Sequence, residues 1–304
     1  MTGYSLNRRR FVTTGLAGFI ASTLPIRSSA EEAKLETNEA TSEVTSKDGT
    51  SIAISRSGEG PALILVGGAL SDGSGAAPLA RLLAPRFTTV TFDRRGRGKS
   101  GDTPPYAVEH EIEDIDAIID ALGGKAFIHG HSSGAVLSLE ATAKLAGKVT
   151  KLSLYEPPFI TDGTRPLPPA DFASHIDELI AAKRRGDAVE YFLVEVVGTP
   201  AEAIAQMRSA PAWPALEALA HTLAYDVAVL GDRMSGKPLT SGAWDAVTIP
   251  VLVMDGGASP EWIRNSARSV ADLLTDAEHR SLADQTHNAA PEVVAPELER
   301  FFLG

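Results

Sequence analysis

Ser132 stands at the centre of Gly130-His131-Ser132-Ser133-Gly134, directly after the apolar run Lys125-Ala126-Phe127-Ile128-His129. A serine lifted to the tip of a sharp strand-to-helix turn must adopt strained backbone angles. Glycines two residues to either side let neighbouring backbone pack against such a turn. The helix expected next, from about residue 133 to 145, would point the free N–H groups of its first turn at the serine, where developing negative charge is stabilised. A serine also needs a base to become a nucleophile at neutral pH, and the base needs a carboxylate to orient it. Of the seven histidines, His287 is the best placed base, because it follows a short strand and precedes the last helix. His129 lies within a strand, and His131 is too close in sequence to reach back to Ser132. His110, His175 and His221 fall on helices, and His279 begins a strand. Two carboxylates compete for the third role. Glu156 ends one strand in Leu154-Tyr155-Glu156-Pro157-Pro158 and is favoured; Asp255 ends the next in Met254-Asp255-Gly256-Gly257. Asp284, three residues from His287, is better suited to holding its own loop.

Positioning such groups takes a parallel sheet, whose strand C-termini are where reacting side chains gather. The pattern of apolar runs supplies one. Residues 50–56 alternate and read as an edge strand. Ala62-Leu63-Ile64-Leu65-Val66 and residues 87–92 are continuous apolar runs, as strands buried on both faces require. Helical spacing is expected over 76–83 and 107–122. In the second of these Ile112, Ile115, Ile119 and Leu122 line one face, and Glu109, Glu113, Asp116 and Asp120 form a solvated one. Strand 125–130, helix 133–146, strand 149–155, strand 249–254, helix 261–274, strand 279–282 and helix 291–302 continue the alternation, which implies an α/β fold with helices on both faces. Between 158 and 243 the alternation stops. Helices are expected over 170–184, 187–197, 201–209 and 213–229, an insertion that reads as a lid over one end of the sheet. Phe192, Met207, Trp213 and Tyr225 are candidates to line a pocket there or to form the lid's own core. The domain plan is therefore an export leader over 1–30, a flexible lead-in over 31–42, a core over 43–157 and 244–304, and a helical lid over 158–243.

The leader is expected from Arg8-Arg9-Arg10-Phe11-Val12, the apolar stretch 11–26, and small residues at Ser28 and Ala30. Paired arginines before Phe resemble a twin-arginine signal, so the mature protein is expected to be exported to the periplasm or beyond. The leader holds four arginines and no acid. Without it, 24 basic and 39 acidic residues remain, a net charge of −15. Such a surface argues against nucleic acid or anionic membrane as partners. There is no cysteine, so disulfides and thiolate metal sites are excluded. No metal, no organic cofactor and no stable membrane insertion after processing are expected, and the partner is a small-molecule substrate.

Together these residues resemble the α/β-hydrolase fold enzymes over essentially all of the mature chain. The order Ser132, acid, His287 matches that family's chain order. Gly67-Gly68-Ala69 takes the place of its His-Gly-x loop after the third strand, with glycine where histidine is usual. By that match, the backbone N–H groups of Ala69 and Ser133 form the oxyanion hole. Asp93-Arg94-Arg95-Gly96-Arg97-Gly98-Lys99-Ser100 resembles the family's structural turn after the fourth strand, so no anion site is assigned to its arginines. The usual acid position past the seventh strand is Ser259 in Gly256-Gly257-Ala258-Ser259; Glu156 stands where some members place the acid instead, after the sixth strand. The resemblance implies a serine hydrolase of carboxylic esters, or a lactonase, thioesterase or carbon–carbon bond hydrolase using the same residues. A ligand-binding protein of hydrolase-like fold is the rival from another class.

Overall fold

Five runs rich in aliphatic and β-branched residues form the middle of an eight-stranded sheet in the computed structural model, which describes residues 40–304. The expected leader, 1–30, and residues 31–39 of the lead-in lie outside the described residues. The strands are β1 (Ala40–Thr45), β2 (Ser51–Ser57), β3 (Ala62–Val66), β4 (Thr88–Phe92), β5 (Ala126–His131), β6 (Val149–Tyr155), β7 (Val251–Gly256) and β8 (Ala277–Leu282), in spatial order β1-β2-β4-β3-β5-β6-β7-β8. From β4 to β8 neighbouring strands run parallel; β1 and β2 are antiparallel. The chain leaves β3 for β4 on one side and returns to β5 on the other. That reversal is the switch point of the sheet, and a ligand in an open α/β sheet usually sits beyond the strand C-termini at such a point.

Each central strand is buried on both faces because helices cover both. Ile64 and Val66 of β3 point into one core with Ile112, Ile115, Ile118 and Ile119 of α2 (Val108–Ala121) and with α3 (Ser133–Lys144) and α9 (Glu261–Leu273). Leu63 and Leu65 point into the other, with α1 (Ala77–Leu83) and α10 (Pro291–Leu303), where Phe87, Leu298 and Phe302 meet. Each such side chain contributes about 1.5–3 kcal/mol by leaving water.

The sheet's edge lies one strand further out than the sequence predicts. The strand expected at the sheet's margin, residues 50–56, is β2, and it is covered by β1, which takes in residues 40–42 of the expected lead-in. Five of the six β1 residues are exposed, so no buried face leaves a pattern in the sequence. Between β6 and β7 the described chain forms no strand. It contains α4 (Phe172–Ala181), α5 (Arg185–Tyr191) continuing as a π-helix (Phe192–Val197), α6 (Ala201–Arg208), α7 (Trp213–Leu219) and α8 (Leu223–Leu230). The single helix expected over 213–229 is broken by a 3₁₀ turn at Ala220–Thr222. There the Thr222 hydroxyl donates to Leu219 O at 2.9 Å and competes with the regular helical pattern. Phe192 and Trp213 are buried in the same apolar cluster as the sheet's core, and Met207 packs, partly buried, against that cluster. Tyr225 stacks on Tyr106 at 3.9 Å between ring centroids.

Candidate active site

β5 ends and α3 begins at Ser132, whose backbone stands at φ 56°, ψ −128°. That is a costly conformation for a side-chain-bearing residue, held here by its surroundings. Its N–H donates to Tyr155 O at 2.9 Å, and its carbonyl accepts from Ala135 N at 2.9 Å. Two glycines make room for the turn. A Cβ on Gly134 would lie 2.4 Å from Val66 O, and one on Gly68 would lie 2.8 Å from Cβ of Ser132. The loop after β3 therefore packs directly on the serine. Neither Ala69 N–H nor Ser133 N–H finds an acceptor among the described residues; Ser133 opens the helix, where such N–H groups point outward.

His287 lies in the loop between β8 and α10, and its Nδ1 sits 2.6 Å from Oε2 of Glu156. Glu156 is fully buried just past β6, in a left-handed turn at φ 48°. Its other oxygen, Oε1, accepts the Gly256 N–H at 2.8 Å. Opposite a carboxylate, Nδ1 carries the proton, which leaves Nε2 as the free acceptor. The structure thus brings Glu156 to His287 and keeps Asp255 away from it. Asp255, also fully buried, gives one oxygen to His279 Nε2 at 2.5 Å and the other to Ser281 Oγ at 2.6 Å. Asp284 is exposed at φ 59° in the loop itself.

Two side chains fasten the loop that carries His287. Tyr155 donates its hydroxyl to Thr286 O at 2.6 Å. His131, the residue before Ser132, donates Nε2–H to His287 O at 2.8 Å, and its ring lies 4.7 Å from the His287 ring between centroids. Burial, aided by the nearby His287, pushes His131 down to about 4, so it is neutral at pH 7 and acts here through its hydrogen bond. Sequence spacing gave His131 no role, because its partner is a backbone carbonyl 156 residues away. Ser132 Oγ and His287 Nε2 have no hydrogen bond to each other or to another described group.

The arginines of the turn after β4 are buried and paired with carboxylates inside the molecule, as a structural turn requires. Arg94 forks onto Glu111 at 2.6 and 2.7 Å, and Arg95 onto Asp114 at 2.9 and 2.7 Å. Arg94 and Arg97 both reach Asp226 at 2.8 Å. The acids Glu111, Asp114 and Asp226 were not legible as partners from the sequence. The signal that could have found them is the demand of three clustered arginines for counter-charges.

The sequence matches the alpha/beta hydrolase family over residues 63–297. Over 221 residues it is 31% identical to the 2-(acetamidomethylene)succinate hydrolase of Mesorhizobium japonicum, a stretch covering 66% of this chain and 72% of that protein. A shorter stretch of 114 residues is 37% identical to the N-formylmaleamate deformylase of Pseudomonas putida and spans 36% of this chain and 42% of the deformylase. An alpha/beta hydrolase structure from Sphaerobacter thermophilus is 54% identical, with 86% of this chain and 100% of that chain covered and a TM-score of 0.81. With the sheet order, the helical layers and the family match in agreement, the chain belongs to the alpha/beta hydrolase family.

Proposed function

We propose that this protein is a serine hydrolase that cleaves an acyl bond of a small molecule through an acyl-enzyme, with Ser132 as nucleophile, His287 as base and Glu156 as the orienting acid. The observation that carries this reading is the His287–Glu156 pair, fastened through His131 beside the strained Ser132 turn. Ser132 Oγ attacks the carbonyl carbon and passes its proton to His287 Nε2, while Nδ1–H stays on Glu156. The oxyanion accepts from the N–H groups of Ala69 and Ser133, each worth about 10²–10³ in turnover in comparable holes. His287 then protonates the leaving group and activates the water that releases the acid. The helices between β6 and β7 serve as the lid that shapes the pocket. A carboxylic ester is the leading substrate. A second reading, a small amide, is favoured by two relatives, one named a deformylase and one a hydrolase of an acetamidomethylene compound.

The test pairs 4-nitrophenyl esters of rising chain length with the matching 4-nitroanilides. Hydrolysis that vanishes in Ser132→Ala supports the reading, and the better series decides between ester and amide. Turnover that survives Ser132→Ala overturns it. We also infer export, from the leader pattern of residues 1–30. A periplasmic protein whose first residue lies near 31 supports this, and an intact N-terminus in the cytoplasm opposes it.

A further inference from the structure

The charged network beneath the Ser132 turn does more than neutralise its members. Asp226, on α8, is fully buried and lies 93 residues in sequence from Ser133 and 129 from Arg97, yet its carboxylate meets both. Oδ1 accepts from Ser133 Oγ at 2.7 Å and Arg94 Nη1 at 2.8 Å; Oδ2 accepts from Arg97 Nη2 at 2.8 Å. Arg97 spends its other terminal nitrogen on the loop after β3, donating to Gly68 O at 2.6 Å and Ser71 O at 3.0 Å. Arg94 Nη1 also reaches Gly67 O at 3.4 Å. Tyr106 and Arg94 hold Glu111, which balances the second positive charge.

The Gly68 carbonyl and the Ala69 N–H belong to one planar trans peptide and point in opposite directions. A guanidinium fixed on that carbonyl therefore aims the N–H and, by polarising the amide, strengthens it as a donor. Ser133 carries the other N–H, and its hydroxyl is tied to the same carboxylate. Burying two arginines and two acids costs desolvation that such groups seldom repay as stability alone; fixing the direction of two backbone dipoles is a return that apolar packing does not give.

We propose that Asp226 is a positioning residue: acting through Arg97 and Ser133, its carboxylate aims the Ala69 and Ser133 N–H groups at the oxyanion, so that a helix of the inserted segment sets the geometry of the hole. This rests on the serine-hydrolase reading above, and the experiment separates the two. In the full-length protein, kcat and KM on 4-nitrophenyl acetate are measured per serine titrated with a fluorophosphonate, together with inhibition by phenylboronic acid, a tetrahedral mimic. Asp226→Asn is expected to lower kcat by roughly tenfold or more, short of the full loss of a donor, with KM nearly unchanged and boronate affinity reduced by a similar factor. Ser133→Ala, which keeps every ion pair, is expected to give a smaller loss with the same split, and decides the matter alone if Asp226→Asn does not fold. Wild-type kcat per titrated serine and wild-type boronate affinity in the folded variants overturn the proposal, whatever the change in Tm. An unsubstituted protein inert to ester and fluorophosphonate overturns the hydrolase reading itself, and this inference with it.

Discussion

Glu156 and Asp255 are both buried carboxylates at neighbouring strand ends, and each holds a histidine, at 2.6 and 2.5 Å. They differ in what else the pair touches. Asp255 stands within β7 opposite Ser281 of β8, and His279 lies two residues earlier on that same strand, so its pair is a cross-strand link inside the sheet. Burial acts to raise the Asp255 carboxyl, but His279 and Ser281 outweigh it and hold it below the ordinary carboxylate range. Glu156 stands beyond its strand, in a left-handed turn, and its histidine comes from a loop tied to the residue before Ser132. A histidine–carboxylate pair is therefore not in itself a site. The Glu156 pair stands on a loop fastened to His131, the residue before the strained serine; the Asp255 pair spends its acid on two neighbours within one edge of the sheet.

Ser132→Ala is expected to lower kcat by about 10⁴ or more, measured on the best ester of the panel. Glu156→Gln is expected to cost about 10³–10⁴ in kcat through loss of the ring's orientation and charge partner. Asp255→Asn is expected to leave kcat close to that of the unsubstituted protein but to lower stability by about 1–3 kcal/mol in urea unfolding. If Asp255→Asn proves the inactive one of the two, the roles assigned here are reversed. The two regions also differ in acid response. His129 and His131 flank the Glu156 side of the sheet, and burial pushes them down to about 3 and about 4 from an ordinary 6.5. Unfolded, each binds a proton more readily, so the stability they contribute is complete above pH 6.5 and is lost as pH falls toward 4. Tm measured from pH 7 to 4 should drop, and less steeply in His131→Gln. The smallest effect belongs to Ser281→Ala, which removes one bond to Asp255 and should cost about 0.5–1.5 kcal/mol with activity retained.

The alternation of buried strands and amphipathic helices made the fold legible in the sequence, because strands covered on both faces read as unbroken apolar runs. β1 escaped because an exposed edge strand has no face to hide. The strand-to-helix turn at Ser132 was legible from its glycines, whose need is local. Glu156 and Asp255 could not be separated by position alone, since both end parallel strands; the difference lies in His279 and Ser281, which meet Asp255 only across the sheet. Asp226 was illegible for a related reason. It sits in the apolar run Leu223-Ala224-Tyr225-Asp226-Val227, and the arginines that justify it are more than a hundred residues away. Local chemistry leaves local patterns, whereas a charge balanced by a distant element leaves only an apparent misfit in its own helix.

The proposed hydrolysis requires an activated hydroxyl at residue 132. The direct measurement is intact mass, followed by peptide mapping, of the folded full-length protein after exposure to a fluorophosphonate. One adduct on the peptide containing Ser132, absent from Ser132→Ala and greatly slowed in Glu156→Gln, is the predicted result. A folded protein that takes up no label, or carries it on another serine, contradicts the account.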